Sequence, residues 1–109
     1  MCPKENCCYC TAGGGTDCWT KECVYKINCS QCPAFYIGET KRTMRSRLRE
    51  HITADSSLVF QHLKVHAPLP STNDITWSVV HSGLGNLALR RRVELAEIES
   101  QGPDINVQH

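Results

Sequence analysis

The stretch Cys23–His51, CVYKINCSQCPAFYIGETKRTMRSRLREH, decides how the rest of the chain is read. Val24, Tyr25, Lys26 and Ile27 have the β-branched and aromatic character of a strand, and Ser30 to Ala34 read as a turn. Phe35, Tyr36 and Ile37 begin a second strand, which Gly38 is expected to end, so the segment folds as a hairpin with Cys29-x-x-Cys32 at its tip. Thr40 then offers an N-cap to a helix in which Met44, Leu48 and Ile52 recur every four residues as an apolar stripe that ends near Ala54.

Working outward, Ser56 or Ser57 starts a second helix through Leu58, Phe60 and Leu63, with His62 and His66 on one face and Pro68 and Pro70 enforcing its end. Ile75, Trp77 and Val79 suggest a third strand, which Gly83 and Gly85 break. Leu87 to Glu99 is rich in strong helix formers and is stopped by Pro103. Upstream, residues 1–22 carry cysteines and the run Gly13-Gly14-Gly15 without periodicity, so this segment needs a metal ion to be ordered. The chain of 109 residues at 40% hydrophobic content supports one core. The expected architecture is an α/β sandwich: a small three-stranded antiparallel sheet flanked by helices over 23–109, preceded by a cysteine-rich zinc-binding segment over 1–22.

Composition excludes several classes. No apolar run is long enough to cross a membrane, and the first ten residues hold four cysteines rather than a secretory signal, which favours a nuclear or intracellular protein. Eight cysteines in a short chain fit a disulfide scaffold on count alone. The chelate spacings Cys7-x-x-Cys10 and Cys29-x-x-Cys32, with His62-x-x-x-His66, fit zinc better. The net charge of +1 conceals two basic clusters, Lys41, Arg42, Arg45, Arg47 and Arg49, then Arg90, Arg91 and Arg92. These make either a face for phosphate or solvated helix surfaces.

Tyr25 and Tyr36 can face the same side of an antiparallel hairpin, although strands favour aromatics in any case. Arg47 and His51, spaced i, i+4, share a helix face offset from the buried stripe, where a solvated arginine and a surface histidine are the plainer reading. Glu94, flanked by Val93 and Leu95, lies near the border of the last helix's buried face, with Glu97 and Glu99 as competitors. One carboxylate beside an arginine and a tyrosine is what a hard Mg²⁺ ion and a phosphate require.

VYKI followed by FYIGET, then Arg47 nine residues beyond Gly38 and His51 four further on, resembles the GIY-YIG nuclease family, with Cys23-Val24-Tyr25 where that family has GIY. RRRVELAEI is similar to the family's helix with a metal-binding glutamate, and Pro103-Asp104-Ile105-Asn106 to its closing Pro-x-x-Asn element. The Cys29/Cys32 pair inside the hairpin, His62/His66 and the upstream cysteines resemble more narrowly the endonuclease domain of Penelope-like retroelements. Cys23 in place of the first glycine departs from the family pattern.

The resemblance implies a GIY-YIG fold and a domain that nicks DNA for target-site cleavage, alongside a reverse transcriptase of the same element. It implies that Tyr25 orients or deprotonates the attacking water, Tyr36 holds that water or the phosphate, and Arg47 neutralises the phosphate as a fixed guanidinium fork. It further implies that Glu94 coordinates Mg²⁺ or Mn²⁺, that His51 supports the base or a phosphate oxygen, and that Gly38 and Asn106 support the site. A phenol titrates near 10, so a cation such as Lys26 or Lys41 is expected to lower it. Cys29, Cys32, His62 and His66 together close a tetrahedral zinc shell with no open position, which makes that site structural. Cys2, Cys7, Cys10 and Cys18 have the best spacing for a second zinc ion, leaving Cys8 and Cys23 as free thiols; that knuckle either touches DNA or caps the sheet. The alternative function is a zinc-stabilised nucleic-acid-binding module without catalysis.

Overall fold

The computed structural model describes residues 2–106, so Met1 and the last three positions of the 23–109 unit lie outside it. β1 (Cys23–Cys29) is the central strand of a three-stranded sheet, antiparallel to β2 (Phe35–Thr40) on one side and to β3 (Ile75–His81) on the other. Along β1 alternate side chains leave opposite faces. Tyr25, Ile27 and Cys29 pack with Met44, Leu48 and Ile52 of α2 (Met44–Thr53) and with Val59 and Leu63 of α3 (Leu58–Leu63). Met44 and Leu48 are completely buried, and each such side chain contributes roughly 1.5–3 kcal/mol through burial. The other face meets α4 (Leu87–Gln101), where Lys26 Nζ donates to Gln101 Oε1 at 3.1 Å. The fold is therefore α/β, with one antiparallel sheet between helices.

The N-terminal segment packs against the sheet and the start of α2. It forms a short helix, α1 (Cys8–Ala12), and its Tyr9 carbonyl accepts from Trp77 Nε1 of β3 at 2.7 Å. The carbonyls of Thr20 and Cys18 accept from the N–H groups of Met44 and Arg45, at 2.8 and 2.6 Å. These donors begin α2 and have no partner inside the helix, so the segment caps α2 from outside. Cys7 and Cys18 join the same apolar cluster as Tyr25 and Ile27.

Several boundaries differ from the sequence reading. Gly38 does not end β2: it sits inside the strand opposite Tyr25, and β2 runs on to Thr40. Thr40 is consequently not the N-cap of α2; Thr43 is, accepting from the N–H of Ser46 at 3.3 Å. α3 ends at Leu63, so His66 lies in the following turn rather than on the helix, with its N–H bonded to the Leu63 carbonyl at 3.0 Å. α4 continues past Glu99 to Gln101 and is ended by Gly102 at φ 62, a left-handed cap that a residue with a Cβ resists, rather than by Pro103. Arg90 does not belong to a basic surface with Arg91 and Arg92. It is buried, and its Nε donates to Glu39 Oε2 of β2 at 2.8 Å while Nη1 donates to the Leu84 carbonyl at 2.9 Å. Its side chain leaves α4 toward the sheet, where only a neutralised guanidinium is tolerable.

Candidate functional site

Tyr25 is the hub of the site. Its side chain has no exposed surface, and its hydroxyl accepts from Arg47 Nε at 3.1 Å and meets His51 Nε2 at 2.7 Å, with the Tyr36 hydroxyl a more distant partner. Both partners come from one face of α2, as their i, i+4 spacing requires. His51 is buried instead of lying on the surface, and its Nδ1 meets Ser57 Oγ at 2.7 Å. Ser57 is the N-cap of α3, with Oγ accepting from the Phe60 N–H. Tyr36 completes the cluster, its ring centroid 6.3 Å from that of Tyr25 and 5.1 Å from that of His51.

A cleft of about 210 Å³ opens against this cluster, lined among others by Tyr36, Arg47, Glu50, His51 and Ser57. Tyr25 lies behind the lining. Gly38 makes the arrangement possible, because a Cβ there would stand 2.5 Å from Tyr25 Oη and 2.7 Å from Tyr36 Cε2. Glu94 reaches the area from α4 across the free edge of β2, its carboxylate facing the backbone N–H of Glu39. Two residues earlier on that edge, Asn106 Oδ1 accepts from the Ile37 N–H at 2.9 Å and its Nδ2 donates to the Ile37 carbonyl at 2.7 Å. Asn106 thus finishes the unpaired edge strand beside the site.

The electrostatics follow from burial. Burial pushes the Tyr25 phenol well above its ordinary value, with the Tyr36 and Glu94 charges acting in the same direction and Arg47 opposing them. Tyr36 is raised mainly by burial, against the pull of Arg47. His51 is pushed down to about 3 by burial and then by the Arg47 charge, so the imidazole is neutral. Burial and the neighbouring Glu39 raise Glu94, while Arg47 and Arg91 lower it. The expectation that Lys26 or Lys41 lowers the Tyr25 pKa is not met: Lys26 lies over the Phe35 ring at 4.3 Å, Lys41 is exposed, and Arg47 is the cation at the phenol. Lys26 follows Tyr25 directly in the strand and so points to the opposite face.

Two further clusters collect metal-ligating groups. The ligand atoms of Cys29, Cys32, His62 and His66 all lie within 4.8 Å of one another, as do those of Cys2, Cys7, Cys10 and Cys18. Cys32 Sγ is 3.2 Å from His62 Nε2, and Cys7 Sγ is 3.8 Å from Cys18 Sγ. All eight cysteines are free thiols, which removes the disulfide scaffold. Either set can hold a zinc-like ion, because four soft donors converge with no carboxylate among them. Burial raises Cys29 and lowers His62, so loading that site must drive the proton off the Cys29 thiol, while the His62 imidazole is already in its ligating form. Cys7 is lowered to about 7, chiefly by the backbone N–H of Cys10. Cys8 and Cys23 stand outside both clusters.

No family model, curated protein or solved structure matches this chain. The tertiary structure also adds residues that the sequence reading passed over. In the sequence Ser57 reads only as a helix start, and Glu39 and Arg90 are separated by 51 positions, so no local pattern joins them. A serine immediately before the helix that carries His62 is the one local signal that points at Ser57.

Proposed function

We propose that this protein is a metal-dependent endonuclease of the GIY-YIG type that hydrolyses a DNA phosphodiester and nicks one strand per encounter. The observation that carries the reading is the convergence of Tyr25, Tyr36, Arg47 and His51 beside one cleft, with Glu94 close enough to act on both phenols and on Arg47. A strand pair, one helix and a second helix far along the chain supply these groups, and ordinary core packing does not require that set.

Arg47 gives its Nε to Tyr25 and presents the remaining guanidinium N–H groups to the cleft, where Glu50 Oε2 lies 3.6 Å from Nη1. A phosphate would replace that carboxylate and be held by a fork already oriented, the arrangement that best meets charge building on nonbridging oxygens. Tyr36 lines the cleft and is placed to contact water or phosphate, whereas Tyr25, sealed behind it, fixes Arg47 and His51. This gives Tyr25 a positioning part in place of direct contact with the attacking water. Glu94 would hold Mg²⁺ or Mn²⁺ as one carboxylate of a shell otherwise made of water and phosphate oxygen, and the bound ion would stabilise the leaving oxygen as a Lewis acid. Zinc at the two cysteine clusters would serve the fold. Exposed Lys41, Arg42, Arg49, Arg91 and Arg92 would add sequence-independent contacts to the DNA backbone. Target-site nicking for a reverse transcriptase of the same retroelement is the biological role consistent with this chemistry.

Nicking of supercoiled plasmid in Mg²⁺ tests the reading. The wild type should nick, and Arg47→Ala and Glu94→Ala should each lose about 100-fold or more while still binding DNA. A wild type that binds DNA without nicking it is a zinc-stabilised binding module instead.

A further inference from the structure

Arg47 has only donors, so its contact with Tyr25 Oη runs in one direction: Nε–H donates and the phenol oxygen accepts. The phenolic hydrogen then needs an acceptor of its own, because Tyr25 is fully buried and a buried hydroxyl without a partner is costly. His51 Nε2, at 2.7 Å, is the nearest acceptor, closer than the Tyr36 hydroxyl that also stands beside the phenol, and taking the hydrogen there requires that nitrogen to be bare. A neutral imidazole with a bare Nε2 carries its hydrogen on Nδ1, and Nδ1 faces Ser57 Oγ at 2.7 Å. The donors therefore run one way, from Arg47 to Tyr25 to His51 to Ser57, and no buried polar side-chain atom among the described residues is left without a partner. Ser57 Oγ also accepts from the Phe60 N–H at the start of α3, so both of its acceptor positions are used and its own hydrogen turns to the cleft that Ser57 lines.

We propose that Ser57 is a positioning residue: by accepting from His51 Nδ1–H it fixes the tautomer whose bare Nε2 takes the Tyr25 hydroxyl hydrogen, and through Tyr25 it turns the Arg47 guanidinium toward the cleft. Without the Ser57 hydroxyl the imidazole loses the acceptor that distinguishes its two nitrogens. The opposite tautomer points an N–H at a phenol oxygen that already receives one from Arg47, and the phenolic hydrogen is left with only the more distant Tyr36 hydroxyl. The chain then rearranges at its far end, where Arg47 meets phosphate. The consequence for cleavage rests on the nuclease reading above; the tautomer does not.

The test is ¹⁵N NMR of the histidine ring nitrogens in the zinc-loaded 109-residue chain, without DNA, beside plasmid nicking in Mg²⁺. In the wild type, His51 Nδ1 should show a directly bonded hydrogen and Nε2 none. Ser57→Gly removes the hydroxyl yet remains a tolerated N-cap, so α3 persists, and it should mix or reverse the two nitrogen signals and lower kcat about tenfold with little change in KM. Ser57→Thr, which restores a hydroxyl and a cap, should return both to wild-type values. A wild-type His51 protonated at Nε2, or a Ser57→Gly protein with the wild-type tautomer, overturns the proposal. A wild type with the expected tautomer but no nicking overturns the nuclease reading and leaves the part of Ser57 toward His51 standing.

Discussion

At the tip of the β1–β2 hairpin, Cys29 and Cys32 meet His62 and His66; along its body, Tyr25 and Tyr36 meet Arg47 and His51. Both clusters draw on the hairpin and on a helix that packs against it, and both hold titratable groups at short range. They differ in what completes them. The body is closed by its own hydrogen bonds, each donor finding an acceptor, and the one charged member, Arg47, faces a cleft. The tip brings together two thiols and two imidazoles, a donor set that could hold a zinc-like ion. One hairpin thus carries a cluster closed by its own hydrogen bonds and open to a ligand, next to one that could hold a metal ion.

Removing the metal should break the comparison most severely. Structural zinc is worth on the order of 10 kcal/mol in small domains, so a strong chelator should lower the melting temperature by roughly 20 °C or more, followed by circular dichroism with elemental analysis of the metal released. An apo protein that melts with the loaded one would remove the structural role of the tip.

Gly38→Ala should act on the body alone. The new Cβ would lie 2.5 Å from Tyr25 Oη, and the fully buried Tyr25 phenol has no free space to withdraw into. Displacing the hub by a few tenths of an ångström should cost about 1–3 kcal/mol of stability and about 100-fold in nicking, with zinc content unchanged. Loss of zinc from this variant would mean that the two clusters are not separable.

His51 gives a pH signature to the body. Its pKa falls from 6.5 to about 3 on folding, so between these values the unfolded chain binds the extra proton and stability rises with pH. The stability this group supports is present above pH 6.5 and is lost as pH falls toward 3, at up to about 1.4 kcal/mol per pH unit. His51→Gln should flatten that slope in urea titrations between pH 5 and about 6.5, a range chosen to keep His62 bound to zinc; an unchanged slope would mean that His51 titrates normally. The smallest effect belongs to the exposed Arg42–Glu50 pair on the rim, whose side chains are 56% and 40% exposed. Arg42→Ala should change stability by less than about 1 kcal/mol, and a larger loss in urea unfolding would show the rim to be part of the fold.

The elements of the hairpin, the stripe of α2 and the two chelate spacings were legible because each depends on neighbours a few residues apart, where strand alternation, helical repeat and ligand reach are local geometry. The same holds for pairing Arg47 with His51 on one helix face. The helix ends were misplaced where a nearby alternative existed, as with Thr43 over Thr40 and Gly102 over Pro103, since which donor caps a helix depends on where the preceding strand stops. Three features of the site were settled only by tertiary packing. Tyr25 is sealed behind the cleft lining because α2 brings Arg47 and His51 onto its hydroxyl. Ser57 reaches His51 because α3 folds back on α2. Arg90 leaves its basic run to meet Glu39 because α4 lies on that face of the sheet. The sequence by itself determined which chemical groups are present and which share a local element. Which of them are stripped of water, and so which hydrogens and charges must find a particular partner, was decided by the tertiary structure, because desolvation is a property of everything packed around a group and not of its neighbours in the chain.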